Sequence, residues 1–453
     1  TFAGEEAGEE APINAPQDLT HEVGTRRDST EQEVADAITR ALDIQPGWDA
    51  LGGQKRAVIL EAAAELFEDH TVEFLSLCQR EAGKTLVDAV LELREAVDFL
   101  RYYAVEARRQ FSGPITLPGP TGEENLLRMH GRGVFATISP WNFPLAIFIG
   151  PAAAALAAGN TVVAKPAEQT PLIAALAVRL CHEAGMPEEA FQLLPGAGDV
   201  GQMITSDPRI AGVAFTGSTE TAQAINRSLA AREGPIATFI AETGGQNAMI
   251  VDSSALPEQV VRDVLASAFQ SAGQRCSAQR MLYIQDDVYD EMLEMIRGAF
   301  DALNVGDPVL MHTDVGPVID PDAKAALERH VARRKKSGAN VWRHKLPRGT
   351  SKGCFVAPAI IEVNSILDLK RENFGPILHV ARFASEDLGK VIGDINATGF
   401  GLTLGLHSRI AATKRFIEQR ARVGNFYVNR NQIGAVVESQ PFGGEGLSGT
   451  GPK

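Results

Sequence analysis

The sequence has few cysteines, and their spacing matches neither a metal site nor a disulfide framework. Its 453 residues include only Cys78, Cys181, Cys276 and Cys354, with no C-x-x-C pair among them. This arrangement argues against a zinc ribbon and against a dense disulfide framework. We therefore predict no metal site, and a reducing, cytoplasmic environment.

Basic residues are also in short supply, since 57 acidic residues face 43 basic ones and the formal net charge is −14. Such a chain has no uniform positive field to hold nucleic acid or an anionic membrane. The longest apolar stretch, 143–158, is interrupted by Pro144, Gly150 and Pro151. It is shorter than the roughly 20 residues that span a bilayer, so we expect a buried loop and helix there.

The first 16 residues contain Glu5, Glu6, Glu9 and Glu10 but neither Lys nor Arg. We predict that residues 1–16 form an acidic, solvated leader or remnant linker outside the fold. No basic segment is followed by an apolar one, so no signal peptide is expected. We expect the chain to be one part of a longer polypeptide.

From Thr161 onward, short apolar runs alternate with helical patterns, which is typical of a parallel sheet with crossover helices. The alternation is too long for one nucleotide-binding domain. We therefore predict two successive α/β units with a boundary near Glu242, where Gly244 and Gly245 would allow an unusual turn. The periodicity of residues 31–110 predicts several amphipathic helices around the first unit.

Two phosphate-binding patterns are incomplete. The segment from Gly196 through Gly198 to Gly201 matches G-x-G-x-x-G, but no acidic residue closes the following strand. The segment 83–85, Gly-Lys-Thr, lacks the leading glycine of a P-loop because that position is Cys78. A helix C-terminus is the better interpretation of 83–85.

Cys276 lies among small residues, with Gly273 allowing close backbone approach and Arg275 adding positive charge beside the sulfur. A nearby cation favours the thiolate. These residues alone fit a nucleophile and a small buried hydrophobe equally well, and no histidine signature supports a cysteine-histidine hydrolase. Asn142, between two prolines in SPWNFP, is equally open to a structural role in a turn.

Six motifs in order resemble the aldehyde dehydrogenase family: SPWNFP, AKPAEQTP, FTGSTE, ETGG, GQRCSA and ENFGPI. Glu242 and Cys276 stand 34 positions apart, as the family pattern implies. The segments 95–104, 273–280 and 423–451 further resemble the L-glutamate γ-semialdehyde dehydrogenase domain of bifunctional proline-catabolic enzymes. Asn373 and the Glu438-Ser439 pair depart from the family pattern.

The resemblance implies an α/β architecture with the aldehyde dehydrogenase fold. Its parts would be a Rossmann-like NAD-binding domain, an α/β catalytic domain and a small β oligomerisation arm with a C-terminal tail. The implied bounds are 17–112 and 132–242 for the NAD-binding domain, 243–435 for the catalytic domain, and 113–131 with 436–453 for the arm and tail.

The resemblance also assigns roles to individual residues. Cys276 would be the nucleophile, Asn142 the amide donor to the oxyanion, and Glu242 the base that activates water. NAD would be the cofactor, favoured over NADP because a carboxylate at the ribose repels a 2′-phosphate. Its contacts would be Lys165 and Glu168 at the adenosine ribose, Gly198 beside the adenine, Gly217 and Ser218 at the pyrophosphate, and Glu372 and Phe374 at the nicotinamide ribose.

For the substrate, the resemblance implies that Gly434, Ala435 and Ser277 hold a carboxylate through exposed N–H groups. Arg275 would assist electrostatically. Phe143 and Phe442 would flank the aliphatic chain, and simple core packing is an equally good interpretation of these two.

The implied activity is the NAD-dependent oxidation of L-glutamate γ-semialdehyde, formed from 1-pyrroline-5-carboxylate, to L-glutamate through a thioester. The alternatives are a dehydrogenase for another small aldehyde and an inactive interaction domain. A proline dehydrogenase module in the same longer polypeptide and a homo-oligomer, such as a dimer, are the implied partners.

Overall fold

Up to Glu242 the chain forms helices around a five-stranded sheet. The computed structural model describes residues 10–451. The helices are α1 (Glu31–Ala50), α2 (Gly52–Asp69), α3 (Thr71–Glu81), α4 (Leu86–Phe111), α5 (Ala146–Ala157), α6 (Pro171–Glu183), α7 (Gly198–Ser206) and α8 (Thr219–Ala230). The strands are β1 (Glu10–Ala15), β2 (Asp18–Arg27), β3 (Ile115–Leu117), β4 (Asn125–Leu127), β5 (Val134–Ile138), β6 (Thr161–Lys165), β7 (Phe191–Leu193), β8 (Ile210–Thr216) and β9 (Thr238–Glu242).

The sheet of this part has the order β7-β6-β5-β8-β9, and β5 pairs in parallel with both β6 and β8. Every residue of β5 and β6 is buried, as expected when helices cover both faces of a parallel sheet. The buried α5 confirms the helix predicted within 143–158. Helices α1 to α4 confirm the helical periodicity of residues 31–110.

After Glu242 the chain forms a second, seven-stranded sheet. Its helices are α9 (Pro257–Phe269), α10 (Tyr289–Asp301), α11 (Pro321–Lys336), α12 (Leu388–Ala397) and α13 (Ala411–Glu418). Its strands, with β15 and β18 of a separate two-stranded sheet, are β10 (Asn247–Val251), β11 (Gln279–Gln285), β12 (Val341–Arg343), β13 (Ala359–Glu362), β14 (Ile377–Phe383), β15 (Phe400–Gly401), β16 (Thr403–His407), β17 (Asn425–Val428) and β18 (Glu445–Gly446).

This second sheet has the order β12-β13-β14-β11-β10-β16-β17. Its neighbours are parallel except for the β12–β13 pair. All seven residues of β11, at its centre, are buried. The predicted alternation of strands and crossover helices is therefore confirmed on both sides of Glu242.

The described residues divide into two units, each with its own core. The first comprises residues 10–14, 22–82 and 89–240, and the second comprises 15–21, 83–88 and 241–451. The division after Ile240 lies close to the predicted boundary. Residues 83–88 belong to the second unit, although the sequence assigned them to the NAD-binding domain, because this linker between α3 and α4 packs there.

The acidic leader is shorter than predicted. Residues 1–9 lie outside the described residues, whereas residues 10–15 form β1 and so contradict a solvated leader at those positions. Ile13 and Ala15 are buried on one face of this strand, and the period-two spacing of these apolar residues explains why the segment joins the fold.

The Pro/Gly-rich break at 111–122 leads into a small hairpin. Strands β3 and β4 are antiparallel, with Ile115 opposite Leu127 and Leu117 opposite Asn125. The apolar side chains of Ile115, Leu117, Leu126 and Leu127 are all exposed. This hairpin lies within 113–131, the segment that the resemblance assigns to a β arm.

The segment Gly83-Lys84-Thr85 follows α3, which ends at Glu81, and precedes α4. The interpretation as the end of a helix is thereby confirmed, and no P-loop is formed there. Within residues 10–451, no helix is both long and apolar enough to cross a membrane.

Glu81 is a buried carboxylate that caps α6 from the end of α3. Its two oxygens accept hydrogen bonds from the backbone N–H groups of Leu172 (2.7 Å) and Ile173 (3.0 Å). Only 1% of Glu81 is exposed. Burial raises the pKa of this carboxyl to about 8, although the two backbone donors act in the opposite direction.

We expect the thermal stability to depend on pH through Glu81. Between its ordinary pKa of 4.5 and its folded pKa of about 8, the folded state holds a proton that the unfolded state has released. This contribution to the free energy of unfolding is complete below pH 4.5 and is lost as the pH rises toward 8. The Tm of the unsubstituted protein should therefore fall between pH 5.5 and 8 relative to that of Glu81→Gln, measured by circular dichroism.

The matched control is Glu65→Gln, at an exposed position of α2. This variant should keep the pH dependence of the unsubstituted protein. Parallel Tm profiles for Glu81→Gln and the unsubstituted protein would show that Glu81 does not titrate in this range.

Candidate active site

Cys276 follows a left-handed turn between α9 and β11. Ser271, Ala272 and Gly273 have φ values of 57°, 52° and 66°. A Cβ atom on Gly273 would lie 2.3 Å from the carbonyl oxygen of Gly375, so only glycine fits there. Cys276 is half-buried, whereas the other three cysteines are buried. Its exposure separates it from the small buried hydrophobe that the sequence left open.

The backbone around Cys276 is fixed by a side-chain amide from the neighbouring strand. Asn247, the first residue of β10, donates from Nδ2 to the carbonyl oxygens of Cys276 (2.6 Å) and Ala278 (2.9 Å). Both carbonyls lie just before β11. The buried amide gives them a hydrogen-bond donor and holds the segment of Cys276 in place.

Arg275 forms a buried ion pair with Asp88, with 2.8 Å between Nη2 and Oδ1. Burial acts to raise the pKa of Asp88, but Arg275 and Lys84 together with hydrogen bonds from Gln270 and Thr85 bring it below the ordinary value. Asp88 is therefore ionised at neutral pH. Its charge opposes the electrostatic help that the sequence expected Arg275 to give the substrate.

Glu242, the last residue of β9, is held by the C-terminal tail. Its neighbour Thr243 donates from the backbone N–H to Ser448 (2.9 Å) and from its hydroxyl to Leu447 (2.6 Å). Glu242 forms an antiparallel bridge with Gly449. The tail thus fixes the backbone from which the carboxylate of Glu242 projects.

Glu372 packs against the glycine pair after Glu242. A Cβ atom on Gly244 would lie 1.9 Å from Glu372 Oε2, and Glu372 Oε1 accepts a hydrogen bond from Arg280 Nη2 (3.1 Å). Neither Gly244 nor Gly245 has a positive φ, so the unusual turn predicted there is wrong. Glycine is required at 244 for close packing instead.

These segments share one edge of the seven-stranded sheet. Residues 242–246 precede β10, residues 274–278 precede β11, and residues 372–376 precede β14. Asn247 pairs with Gln279 and Met281 with His379, so the beginnings of the three parallel strands are aligned. The fold therefore brings together the segments that carry Cys276, Glu242, Glu372 and Phe374.

The predicted carboxylate loop reaches the same edge from β17. Gln432 donates from Nε2 to the carbonyl oxygen of Ser277 (3.4 Å), and Gly434 follows two residues later with φ 69°. The loop returns at Pro441, whose carbonyl accepts from Asn425 at the start of β17 (3.0 Å). Gln432 thus ties the first part of this loop to Ser277, and Phe442 directly follows Pro441, where the loop returns. Phe442 is exposed, which argues against core packing for this residue.

In the first unit, the turn that carries Asn142 links β5 to α5. Asn142 and Phe143 are both buried, and Phe143 belongs to the main hydrophobic core of this unit. Glu92 on α4 accepts hydrogen bonds from the backbone N–H groups of Leu145 (3.0 Å) and Ala146 (2.9 Å). This buried carboxylate caps α5 and fixes the path of the turn.

Lys165 lies at the end of β6, next to the G-x-G-x-x-G segment. Its Nζ donates to the carbonyl oxygen of Gly196 (2.7 Å) and lies 4.0 Å from Glu168 Oε2. Burial lowers the pKa of Lys165, and Glu168 partly offsets this effect. The side chain also lies beside Gly201, so Lys165, Glu168 and the segment around Gly198 are neighbours.

Gly217 and Ser218 connect β8 to the N-terminus of α8. Ser218 caps that helix, because its hydroxyl accepts a hydrogen bond from Thr221 N (3.1 Å). Ile138 of β5 pairs with both Lys165 and Phe215, so the ends of β5, β6 and β8 are level. The segments that carry Asn142, Lys165 and Ser218 therefore share the C-terminal edge of this sheet, where α/β proteins bind nucleotides.

Sequence reasoning missed several residues that hold these segments. They are Glu92, Asp88, Asn247, Arg280 and the tail residues 447–450. A buried charge in an amphipathic helix, such as Glu92 or Asp88, was the available signal. Their partners lie far along the chain, so the sequence alone does not name them.

Comparison with known proteins agrees with the motif resemblance. The model of the aldehyde dehydrogenase family matches residues 2–453. The bifunctional protein PutA of Klebsiella aerogenes is 50% identical, covering 98% of this chain and 34% of PutA. A 1-pyrroline-5-carboxylate dehydrogenase of Geobacillus sp. (strain WCH70) is 34% identical, covering 97% of this chain and 85% of that protein. The chain thus spans about a third of the length of the curated PutA relatives that it matches.

Solved structures give the same result. A crystal structure of bifunctional proline utilization A superposes with a TM-score of 0.92 at 56% identity, covering 94% of this chain and 44% of the other. The 1-pyrroline-5-carboxylate dehydrogenase from Thermus with bound NAD has a TM-score of 0.92 at 31% identity, covering 98% and 86%. The α/β fold predicted from the motifs is confirmed, and the chain belongs to the aldehyde dehydrogenase family.

Proposed function

We propose that this chain oxidises L-glutamate γ-semialdehyde to L-glutamate with NAD, as a step in proline catabolism. The names of its relatives, PutA and 1-pyrroline-5-carboxylate dehydrogenase, support this activity. The observation that carries the proposal is the shared edge of the seven-stranded sheet. There a half-buried cysteine, a carboxylate and a left-handed loop suited to anion binding converge.

The chemistry begins with attack of Cys276 Sγ on the aldehyde carbon, which forms a thiohemiacetal oxyanion. The family pattern gives Asn142 the task of donating a hydrogen bond to that oxyanion, together with the backbone N–H of Cys276. When bound, NAD supplies the acceptor for the hydride that leaves the same carbon. Cys276 then carries a thioester, and Glu242 takes a proton from the water that hydrolyses it to the acid and the free thiol.

The residues of the first unit suit NAD. The N-terminus of α8, with Gly217 and Ser218, offers backbone N–H groups and the positive end of a helix dipole to a pyrophosphate. Lys165 ends β6 and Glu168 follows it, and both would hold the adenosine ribose. The carboxylate of Glu168 disfavours a 2′-phosphate, which supports NAD over NADP.

For the substrate carboxylate, we propose recognition by the N–H groups of Gly434 and Ala435 with Ser277. Gly434 is exposed and left-handed, a backbone form that turns consecutive N–H groups toward one anion. This local arrangement explains how a chain of net charge −14 would bind an acidic substrate.

We further propose that the natural protein includes a proline dehydrogenase module in the same polypeptide, as the bifunctional relatives suggest. The exposed apolar side chains of the β3–β4 hairpin support a role in a homo-oligomer, such as a dimer. The tail at 436–453 also remains a proposed part of that assembly.

Replacing the nucleophile should abolish the reaction. With NAD and glutamate semialdehyde, we expect the unsubstituted protein to produce reduced nicotinamide absorbance at 340 nm, and Cys276→Ala to produce none. The control is Cys181→Ala, at a buried thiol in α6, which should keep the activity per folded molecule. Activity that survives Cys276→Ala would exclude Cys276 as the nucleophile.

Removing the proposed base should slow only hydrolysis of the thioester. In stopped-flow measurements, we expect Glu242→Gln to release about one equivalent of reduced nicotinamide per site and then to turn over about 10²–10⁴ times more slowly. Glu418→Gln, at an exposed position of α13, should behave as the unsubstituted protein. A burst that disappears together with turnover would contradict a role restricted to deacylation.

Substrate choice should depend on the carboxylate loop. We expect kcat/KM for glutamate semialdehyde to exceed that for pentanal by about 10³-fold or more, because a site built for a charged group rejects analogues that lack it. Gly434→Ala should reduce this ratio, since φ 69° is strained for alanine.

The matched control for the loop variant is Gly338→Ala, in the turn after α11 with φ 85° and open space around it. It should leave the ratio unchanged. Equal turnover of both aldehydes by the unsubstituted protein would favour a dehydrogenase for other small aldehydes. Absence of turnover with any aldehyde would favour an interaction domain.

A further inference from the structure

Arg280 is a charged residue in the centre of the second unit for which the proposed reaction gives no role. It is the second residue of β11 and is fully buried. It follows Cys276 by four positions. A buried guanidinium is costly unless its charge is compensated and most of its N–H groups have acceptors.

The guanidinium of Arg280 binds the turn that carries Cys276 from behind. Nη1 donates to the carbonyl oxygen of Gly273 (2.6 Å), and Nη2 donates to that of Arg275 (3.0 Å). These two carbonyls lie on either side of Gln274, between the left-handed residues and Cys276. The hydrogen bonds therefore fix the segment immediately before the nucleophile.

The same guanidinium reaches the segment that carries Glu372. Nη1 also donates to the carbonyl oxygen of Gly375 (3.3 Å), and Nη2 donates to Glu372 Oε1 (3.1 Å). Its central carbon lies 5.1 Å from the ring centroid of Phe374. One side chain thus joins the nucleophile turn to both residues expected at the nicotinamide ribose.

The charge of Arg280 also lies close to Cys276, because Nη2 binds the carbonyl oxygen of Arg275, the residue directly before it. Burial lowers the pKa of Arg280, whereas Glu372 and a thiolate at Cys276 both act to raise it. This interaction is mutual, so the guanidinium favours the thiolate form of Cys276.

The backbone of Arg280 is anchored by a neutral histidine pair. Its carbonyl oxygen lies 2.9 Å from His379 Nδ1, which must carry the hydrogen because a carbonyl only accepts. His379 Nε2 then accepts from His330 Nε2, 2.9 Å away. Burial lowers the pKa of both imidazoles, so neither adds a competing charge at neutral pH.

We propose that Arg280 is a positioning residue that sets the nucleophile turn and Glu372 in one arrangement and favours the thiolate of Cys276. This inference rests on the proposed function in one respect only, which is the expected contact of Glu372 with the nicotinamide ribose. Its other consequences concern the reactivity of the thiol, which is measurable without an aldehyde or NAD.

Two substitutions separate geometry from charge. Arg280→Lys keeps the charge, but a single ammonium group cannot donate in the fixed fork that reaches four oxygens. Arg280→Met removes the charge and retains a long apolar side chain. Arg56→Met is the matched control, because Arg56 is equally buried and also donates to three backbone carbonyls, those of Trp48, Asp49 and Ala157.

The first measurement is the rate of Cys276 alkylation by iodoacetamide across pH, read by mass spectrometry of the peptide. We expect Arg280→Met to raise the midpoint by about one pH unit and to slow alkylation at pH 7 by about tenfold. The alkylation profile of Arg280→Lys should have the same pH midpoint as that of the unsubstituted protein, because the charge is retained. Arg56→Met should lower the Tm and leave the profile unchanged.

The second measurement is steady-state kinetics with NAD and glutamate semialdehyde. Here Arg280→Lys should lower kcat by about 10- to 100-fold and raise KM for NAD several-fold, because the turn and Glu372 shift together. Arg56→Met should change neither value by more than about twofold.

The proposal is overturned if the alkylation profile of Arg280→Met superimposes on that of the unsubstituted protein, or if Arg56→Met shifts it as far. If Arg280→Met does not fold, unchanged kcat and KM in Arg280→Lys overturn it. Failure of the unsubstituted protein to reduce NAD would refute the proposed function, whereas the alkylation profile would still test Arg280.

Discussion

The second unit depends on a backbone reversal of three consecutive left-handed residues, Ser271 to Gly273, between α9 and β11. For Ser and Ala this conformation costs roughly 1–2 kcal/mol each, so it persists only where the surroundings impose it. Here Gly273 packs directly on the backbone of Gly375, and buried side chains hold the carbonyls on both sides. The reversal lets Cys276 remain half-buried beside a strand that is itself fully buried.

The second constraint is electrostatic, because the cations near the proposed NAD and substrate sites already bind other groups of the protein. Asp88 pairs with Arg275, Glu372 pairs with Arg280, and the ammonium group of Lys165 donates to backbone carbonyls. These groups are buried and do not form an open positive patch. Recognition of the substrate carboxylate and of a pyrophosphate is therefore assigned to backbone N–H groups in the loop at Gly434 and at the N-terminus of α8.

The sequence predicted the alternation of strands and helices along the chain and the motifs that carry the proposed site residues, since each motif precedes or follows a recognisable strand. It did not predict why Gly244 is glycine, because the reason is the carboxylate of Glu372, far along the chain. Asp88 and Arg275 are likewise 187 positions apart. The prediction of a solvated leader was wrong at residues 10–15 for a different reason. It relied on the acidic composition of the segment, whereas the alternation of Ile13 and Ala15 indicated a strand. Local patterns reveal elements and motifs, whereas the residues that hold a site are specified by tertiary packing.

The proposed sites lie at opposite strand ends in the two sheets. In the first unit Lys165 ends β6, and the other proposed NAD residues follow β6 or β8, where helix N-termini present N–H groups that favour phosphate. In the second unit the proposed nucleophile precedes β11, and the chain reaches it from the C-terminus of α9, where the helix dipole disfavours an anion. A thiolate at that edge needs compensating positive charge. Asp88 already compensates the charge of Arg275. We therefore assign the compensation of a Cys276 thiolate to Arg280. The position of Cys276 at this edge of the sheet thus explains both its partial exposure and the need for the buried guanidinium of Arg280.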